Sequence, residues 1–362
     1  MLDFTSALYL DMRHASAELR PWSQLTTGRP AALHPDPDAA SIANRLAALQ
    51  GCEHGVLAPS TLHLVWDVFG LVDRRHVTMY VDASVYPIAR GGVERAMAHG
   101  VQVRRFPHHD SGALESQVQR DRQQGRAPLV VTDGFCPDCG RVAPLADYLE
   151  IVCARGGQLL IDDTQALGVF GAGATPVAPY GLGGGGSLRW SGVSGREIVV
   201  IASLAKGFGV PVAALTGSRA VIDDFEERSA TRVHCSPPSF AVIRAVEHAL
   251  ALNATPGDAL RSRLADRVRY FRQRLAAIGF RAERGLFPVQ TLAAIPPIDA
   301  ISLHKRLHDV GIRTVPHGGR NGAGARLSFI ITARHRRTEI DRAVAVLAAV
   351  VGGEMRRQSC WR

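Results

Sequence analysis

Short apolar runs alternate along this chain with longer stretches whose apolar residues recur at helical spacing. From residue 40 onward, this alternation is typical of an α/β fold built on a mostly parallel sheet. The runs at 159–161 and 199–202 are apolar without a polar interruption, as expected of strands that are buried on both faces. The pattern therefore predicts a central sheet that is covered by helices on both sides.

The first two thirds of the chain hold most of the predicted elements. We predict strands at 55–57, 77–81, 102–106, 129–132, 158–161, 198–202 and 213–217. We predict helices at 41–50, 61–71, 91–98, 111–122 and 145–154. Four consecutive glycines lie within residues 181–186, which we predict to be a flexible surface loop, with a lid over an active site as the alternative.

Pro256 and Gly257 interrupt two long helical patterns, at 239–252 and 258–278, because a helix does not continue easily through such a pair. Beyond the break we predict a smaller α+β unit with strands at 289–293 and 326–331 and helices at 299–310 and 338–351. We therefore expect an N-terminal arm over residues 1–40, a large domain over 41–252 and a small domain over 253–362.

Composition narrows the class of protein. With 362 residues, 46% of them hydrophobic, the chain can bury a large core. It shows neither an apolar stretch that could span a bilayer nor an apolar N-terminal signal, so we expect a cytoplasmic protein without membrane association. The net charge of +9 is scattered, and the Arg-rich stretch 261–274 predicts the solvated face of an amphipathic helix. No nucleic-acid motif accompanies the charge.

The six cysteines are too sparse for a disulfide framework, and we expect reduced thiols. Cys136 and Cys139 form a Cys-x-x-Cys, but we find no second such pair or close histidine pair that would complete a zinc site. We interpret this segment as a loop with two thiols and expect no metal, a metal or redox role being the alternative.

Two segments carry the candidate chemistry: 160–168, with Asp162, and 201–209, with Lys206. Each is a buried strand that runs into a turn of small residues. Because the carboxyl ends of parallel strands open onto the ligand crevice, Asp162 and Lys206 can face the same pocket. The same two residues could equally form a structural ion pair.

A pyridine cofactor requires this pair of residue types, a lysine for its Schiff base and a carboxylate that keeps the ring nitrogen protonated. The lysine must be desolvated, so that its amine is not held as an ammonium. Ala205, Gly207 and Phe208 flank Lys206 with little polarity, which is consistent with that requirement.

Five motifs in the correct order resemble the α-oxoamine synthase family of fold-type I pyridoxal-phosphate enzymes. Residues 4–10 resemble its opening F-x-S-N-x-Y-L, and residues 131–145 resemble V-T-E-G…G…A-P-L. Residues 162–168 resemble D-[DE]-A-H-x-x-G, and 203–209 resemble T-x-[GS]-K-[AG]-[FL]-G. Residues 326–335 resemble its closing R-L-R-x-x-x-T-A-x-H. The resemblance covers nearly the whole chain and implies an aminotransferase-like pyridoxal-phosphate fold.

The resemblance also implies roles for individual residues. Lys206 would hold pyridoxal 5'-phosphate (PLP), and Asp162 would contact its ring nitrogen. Ser203 would bind the phosphate through its hydroxyl group, with a merely buried hydroxyl as the alternative. Ser60 and Thr61 would offer backbone N–H groups to the phosphate at the start of a helix, where an ordinary helix cap is the alternative.

The chain departs from the family beside the cofactor. Gln165 replaces a histidine near the phenolic oxygen, and it can donate a hydrogen bond but cannot titrate. Pro137 replaces a serine that helps at the same oxygen. Tyr86 stands where the family has a ring-stacking histidine, and it can stack as well, unless it is an ordinary loop aromatic.

Ser328 replaces the arginine that clamps the carboxylate of the amino acid in the family. Arg326 lies two residues away on the same face of a strand and could take over this role, or it could form a surface ion pair. His234 falls where the family often has a threonine that reaches the phosphate of the neighbouring subunit, although a loop residue is the simpler interpretation.

The resemblance implies a homodimer in which an amino acid condenses with an acyl thioester of coenzyme A or a carrier protein to give an α-amino ketone and carbon dioxide. An aminotransferase, or another biosynthetic enzyme for an unusual amine, is the main alternative. A non-catalytic partner subunit is the third, suggested by the three departures at Gln165, Pro137 and Ser328.

Overall fold

A seven-stranded sheet forms the centre of the molecule. The computed structural model describes residues 1–33, 37–283, 285–294, 299–318 and 324–359, the last six by their backbone alone. The strands of all the sheets in the described chain are β1 (Leu2–Asp3), β2 (His54–Ala58), β3 (Val77–Asp82), β4 (Gln102–Phe106), β5 (Ala127–Asp133), β6 (Phe135–Cys136), β7 (Arg141–Val142), β8 (Gln158–Asp162), β9 (Ile198–Ser203), β10 (Ala213–Gly217), β11 (Val289–Thr291), β12 (Ile312–Arg313), β13 (Val315–His317) and β14 (Arg326–Ile330).

Helices cover both faces of this sheet. The α-helices of the described chain are α1 (Pro37–Gln50), α2 (Thr61–Gly70), α3 (Pro87–Ala98), α4 (Ser111–Arg120), α5 (Leu145–Cys153), α6 (Ser187–Ser191), α7 (Arg219–Arg228), α8 (Ala230–His234), α9 (Phe240–Ala254), α10 (Gly257–Ala277), α11 (Ala300–Asp309) and α12 (Arg337–Ser359). Alternate strand residues enter opposite layers: Leu160 packs with the α2 and α3 side, whereas Leu159 and Ile161 pack with the α4 and α5 side. The predicted α/β fold with a two-sided sheet is confirmed.

The strand order is β2-β10-β9-β8-β5-β3-β4. The pairs formed by β9, β8, β5, β3 and β4 are parallel, while β10 is antiparallel to both of its neighbours. As a result, β3, β5, β8 and β9 all end at one side of the sheet, which we call the carboxyl edge. Ligands of open α/β sheets bind in the crevice outside this edge.

The C-terminal part forms a second, three-stranded sheet in the order β11-β14-β13, and α10, α11 and α12 pack together beside it. The predicted domain boundary at residue 252 falls within the last turn of α9, and the division of the chain into three parts stays a prediction.

The residues of the expected N-terminal arm pack into the interior. β1 pairs with β12 in parallel, and Phe4 and Tyr9 are buried. Phe4 accepts a hydrogen bond from the backbone N–H of Ile330. The segment therefore ties the small sheet to the large one.

The expectation of a flexible surface loop at 181–186 is wrong for its second half, because Gly184, Gly185 and Gly186 are buried. The buried Asp163 carboxylate accepts hydrogen bonds from the backbone N–H of Ser187, and a side chain at Gly186 would overlap that carboxylate. Glycine is required here because the backbone, with φ 87° and ψ −164° at Gly186, lies where other residues are strained.

Arg261 corrects the prediction of a uniformly solvated basic face on α10. It is 2% exposed and donates hydrogen bonds to the Asp258 carboxylate, the Asn253 side-chain oxygen and the carbonyl of Gly168. Charged donors this deeply buried need such a full set of acceptors. Arg261 thus fixes α10 against the turn that follows Asp162.

Candidate active site at the carboxyl edge of the sheet

Acidic residues end three neighbouring strands at the carboxyl edge. Asp82, Asp133 and Asp162 are the last residues of β3, β5 and β8, and Asp133 pairs with Asp162 in the sheet register. Lys206 follows the end of β9 in a short turn. The structure therefore brings together the acid and the lysine that the sequence analysis singled out.

Asp162 is the central acid of the edge. Its carboxylate accepts a hydrogen bond from the backbone N–H of Thr164 at 3.0 Å. Desolvation raises the pKa of Asp162, and the Thr164 bonds and the positive charge of Lys206 oppose this rise. A cationic partner placed against Asp162 would supply the counter-charge that its buried position requires.

Lys206 has the environment that the chemistry demands. Burial lowers the pKa of its amine, while attraction to Asp162 and Asp133 opposes this effect. Its Nζ lies 5.7 Å from the centre of the Tyr86 ring. The aromatic ring predicted to stack on the cofactor is therefore beside the lysine predicted to hold it.

Tyr86 owes its position to Asp133, whose carboxylate accepts a hydrogen bond from the Tyr86 backbone N–H at 3.2 Å. Desolvation, helped by the neighbouring charge of Asp162, raises the pKa of Asp133 to about 8. Asp133 lies in the second of the five motifs in residue order as the counterpart of a glutamate, but the sequence analysis did not assign it to the site. The sequence feature that could have identified Asp133 is its position at the end of a buried strand.

Helix α2 offers an open N-terminus at residues 60 and 61. The hydroxyl of Ser60 bonds to the Nδ1 of His63 at 2.9 Å, and Ser60 makes no side-chain cap to the helix. By contrast, Ser239 caps α9 by accepting from the backbone N–H of Val242. The first-turn N–H groups of α2, which begins at Thr61, are thus left for an anion.

Ser203 ends β9, and its backbone N–H donates to the Thr164 hydroxyl oxygen at 3.0 Å. The Ser203 hydroxyl oxygen accepts a hydrogen bond from the backbone N–H of Ala205 at 3.3 Å, which fixes the turn that carries Lys206. The hydroxyl hydrogen remains available to a phosphate, a role that stays a prediction.

Gln165 is held by the N-terminal segment. Its side-chain oxygen accepts a hydrogen bond from the hydroxyl of Tyr9 at 2.8 Å, which leaves the amide N–H₂ group as the donor. Tyr9 is buried and belongs to the opening motif, yet the sequence analysis gave it no role. Only the folded chain brings these two residues together.

The replaced carboxylate clamp lies in the small sheet. Ser328 is 2% exposed, and its hydroxyl bonds to the Thr291 hydroxyl at 2.8 Å and to His317 Nε2 at 2.9 Å. Arg326 forms an ion pair with Glu283 and is partly exposed. Ser328 is therefore not a vacant position, and the binding of a substrate carboxylate by either residue stays a prediction.

His234 and Pro137 lie away from these contacts. His234 is an exposed residue at the end of α8, a helix whose start is bound to the buried Asp67 of α2 through Ser229 and Thr231. The predicted contact of His234 with a neighbouring subunit is not tested by a single chain. Pro137 lies in the turn between β6 and β7.

The sheet order, the acids at its carboxyl edge and the lysine after β9 define a known class of protein. Residues 10–347 match the family described as aminotransferase class I and II, and the chain belongs to that family. The resemblance to α-oxoamine synthases is also confirmed. The chain is 30% identical to the 8-amino-7-oxononanoate synthase of Alcanivorax borkumensis over 259 residues, which are 71% of this chain and 64% of that protein. It thus spans just under two thirds of the length of such relatives.

Solved structures confirm the aminotransferase-like fold. The structure of SPT, serine palmitoyltransferase, with PLP superposes with a TM-score of 0.82 at 18% identity and covers 97% of this chain and 88% of that one. The 8-amino-7-oxononanoate synthase of Francisella tularensis superposes with a TM-score of 0.73 at 17% identity, over 98% and 99% of the two chains. A search of the described helices finds no candidate membrane span.

Proposed function

We propose that this chain is a PLP-dependent enzyme that condenses an amino acid with an acyl thioester, with loss of carbon dioxide, to give an α-amino ketone. The observation that carries the proposal is the placement of Lys206, Asp162 and Tyr86 around one crevice at the carboxyl edge. The relatives named 8-amino-7-oxononanoate synthase support this choice of reaction.

The residues of the crevice fit PLP by their chemistry. Lys206 has a desolvated amine, Asp162 is a partly buried acid whose charge a cation would balance, and α2 has first-turn N–H groups that would bind an anion. Asp162 would hold the proton on the ring nitrogen, Tyr86 would cover the ring, and Ser60, Thr61 and Ser203 would bind the phosphate. PLP supplies an electron sink for negative charge at the substrate α-carbon.

Lys206 would also move the proton at that carbon. Burial lowers the pKa of this amine and so favours the neutral form, which would accept the α-proton of the amino acid. Gln165, oriented by Tyr9, would donate a hydrogen bond from its amide without ever changing charge. The charge at this side of the crevice would therefore stay the same across the pH range in which a histidine titrates.

We further propose a cytoplasmic homodimer. His234 lies exposed at the end of α8, where it would reach the phosphate of the partner subunit. Sedimentation at micromolar concentration is expected to give a dimer. A monomer with full activity would refute a shared site.

The chain offers a sharp test of the cofactor assignment because its only two lysines are Lys206 and Lys305. Protein purified with PLP should absorb visible light, and borohydride should fix the cofactor on the peptide that contains Lys206. Lys206→Ala should lose the visible band and the label, whereas Lys305→Ala, on α11, should keep both. A label on Lys305 or on the N-terminus would overturn the assignment.

The reaction is tested by incubating the enzyme with amino acids and acyl-coenzyme A. Condensation releases carbon dioxide and one free thiol for each amino ketone formed. An oxo acid produced without thiol release would instead establish an aminotransferase. A protein labelled at Lys206 that turns over no amino acid would favour the non-catalytic partner.

A further inference from the structure

A second cluster of reactive side chains lies near the crevice but has no part in the proposed reaction. His108 and His109 follow β4, and Cys139 lies in the turn between β6 and β7. Donor atoms of these three residues all lie within 4.8 Å of one another. The adjacent histidines are the close pair that the sequence analysis failed to find for the Cys-x-x-Cys, because they precede it by about 30 residues.

The distances suit a metal ion. His108 Nε2 lies 3.2 Å from the Cys139 sulfur, and His109 Nδ1 lies 3.9 Å from it. In a tetrahedral zinc site, bonds of about 2.3 Å to sulfur and about 2.0–2.1 Å to nitrogen separate the two donors by about 3.6 Å. The two observed distances lie on either side of this value.

Cys136 supplies the second thiol. Its sulfur accepts a hydrogen bond from the Cys139 backbone N–H at 3.3 Å, and its carbonyl accepts one from the Gly140 N–H at 2.8 Å. The Cys136 side chain also bonds to the Cys139 thiol. The turn thus places the two thiols in contact with each other, and a Cys-x-x-Cys turn is a common part of zinc sites.

A carboxylate stands behind the histidines. Asp82, which is 2% exposed, bonds to His108 Nδ1 at 2.8 Å and accepts from the backbone N–H of His109 at 3.0 Å. A metal-bound histidine usually bonds to a carboxylate through its other ring nitrogen, which fixes the tautomer and the direction of the metal-binding nitrogen. Asp82 leaves His108 Nε2 to face Cys139.

The conformation and the burial of His109 are energetically unfavourable. Its φ of 59° is in the left-handed region, and its Nε2 is buried without a hydrogen-bond partner among the described residues. Backbone strain at a non-glycine residue and an unpaired buried polar atom both need compensation. A metal bond to the other ring nitrogen, Nδ1, would offset the backbone strain, although it would leave Nε2 as it is.

We propose that Cys136, Cys139, His108 and His109 form a structural zinc site. A disulfide between the two cysteines would not involve the imidazole nitrogens that face the Cys139 sulfur, whereas a zinc ion would bind all four side chains. The ion would join the β6–β7 turn to the residues that follow β4. Through Asp82 it would also brace the end of β3 and the segment that carries Tyr86.

The zinc content of the PLP-loaded protein, desalted after purification, tests this site. Wild type should contain about one zinc ion per chain, with two sulfur and two nitrogen neighbours by X-ray absorption. Cys139→Ser and His109→Ala should lose most of the zinc. Cys153→Ser, which changes an exposed cysteine elsewhere, should keep it.

A second measurement on wild type guards against variants that fail to fold. After treatment with a chelator, added zinc should protect Cys136 and Cys139 from alkylation and leave Cys153 reactive. A protein that binds no zinc at micromolar concentration would overturn the proposal. Isolation of the wild type with a Cys136–Cys139 disulfide and no zinc would overturn it as well.

Discussion

Gly186→Ala is the substitution that best tests how the glycine-rich segment is packed. Gly186 is buried directly before α6, and a β-carbon built on it would overlap the carboxylate of Asp163. Gly183 offers a matched control in the same segment. It also has a positive φ, 81° against 87° for Gly186, but a β-carbon built on Gly183 would meet nothing within 4 Å.

The magnitudes follow from these two environments. For Gly183→Ala, the left-handed backbone alone costs about 1–2 kcal/mol. For Gly186→Ala, the backbone region that only glycine populates costs about 1–3 kcal/mol, and the overlap with Asp163 costs about as much again. We expect Gly186→Ala to lower the free energy of unfolding by about 2–6 kcal/mol, against about 1–2 kcal/mol for Gly183→Ala.

Urea unfolding followed by circular dichroism would measure both losses, at one protein concentration and with PLP in excess, because ligand binding and association shift apparent stability. Retention of PLP after desalting provides a second measurement. Asp163 precedes Thr164 and follows Asp162, so its displacement in Gly186→Ala should also weaken cofactor binding. Equal losses in the two alanine variants would refute the buried packing of Gly186.

Four further predictions concern Asp162, Asp163, and the pair Arg326 and Ser328 of the small sheet. Asp162→Asn should slow exchange of the α-hydrogen of a bound amino acid, followed by NMR in heavy water, by at least about 100-fold, and a near-normal rate would exclude Asp162 from the site. Burial raises the pKa of Asp163 to about 7, so the folded state keeps a proton that the unfolded state has lost between about pH 4 and pH 7, and stability falls with rising pH in that window. The free energy of unfolding of Asp163→Asn should therefore rise relative to that of wild type between pH 5 and pH 8. A difference between the two proteins that is the same at both pH values would contradict this. Arg326→Ala should raise the KM for the amino acid by about 10–100-fold, as expected for a lost charged hydrogen bond, while Glu283→Gln should lower it by freeing Arg326. If neither substitution changes the KM, another group binds the carboxylate of the amino acid. Ser328→Arg should lower the urea midpoint of unfolding, because the serine is buried and already hydrogen-bonded.

The strands of the large sheet were predictable because their signals are local. The predictions at 102–106 and 213–217 match β4 and β10 to the residue, and the others differ at their ends. A buried parallel strand is a short apolar run between polar or glycine residues, and no distant contact is needed to recognise it. Short elements such as β6 and α8 escaped because tertiary contacts, rather than their own sequence, hold them.

The glycine-rich segment was misjudged for a related reason. Glycine permits flexibility, but it also permits close approach of the backbone to other groups. The sequence could not distinguish these uses, because the partners Asp163 and Arg261 lie far apart along the chain. In the structure, Asp258 accepts a hydrogen bond from the backbone N–H of Gly183, and Arg261 donates to the carbonyl of Gly168.

The candidate site was predictable where it lies at strand ends and not where separate elements meet. Asp162 and Lys206 each follow an apolar run, so their convergence could be inferred from the fold class. The contact of Tyr9 with Gln165 joins residues that are 156 positions apart. The contact of His108 with Cys139 joins residues that are 31 positions apart, and periodicity contains no information about either pair.

The three carboxylates of the carboxyl edge lie in different electrostatic environments. Asp82 is paired with His108, and hydrogen bonds from this residue and from its neighbours lower the pKa of Asp82 despite burial. Burial and the neighbouring charge of Asp162 raise the pKa of Asp133. Asp162 interacts with the positive charge of Lys206, and its carboxylate accepts a hydrogen bond from the backbone N–H of Thr164. A cationic ring nitrogen would complete this arrangement, and for that reason Asp162 rather than its neighbours is the residue expected to hold the PLP ring.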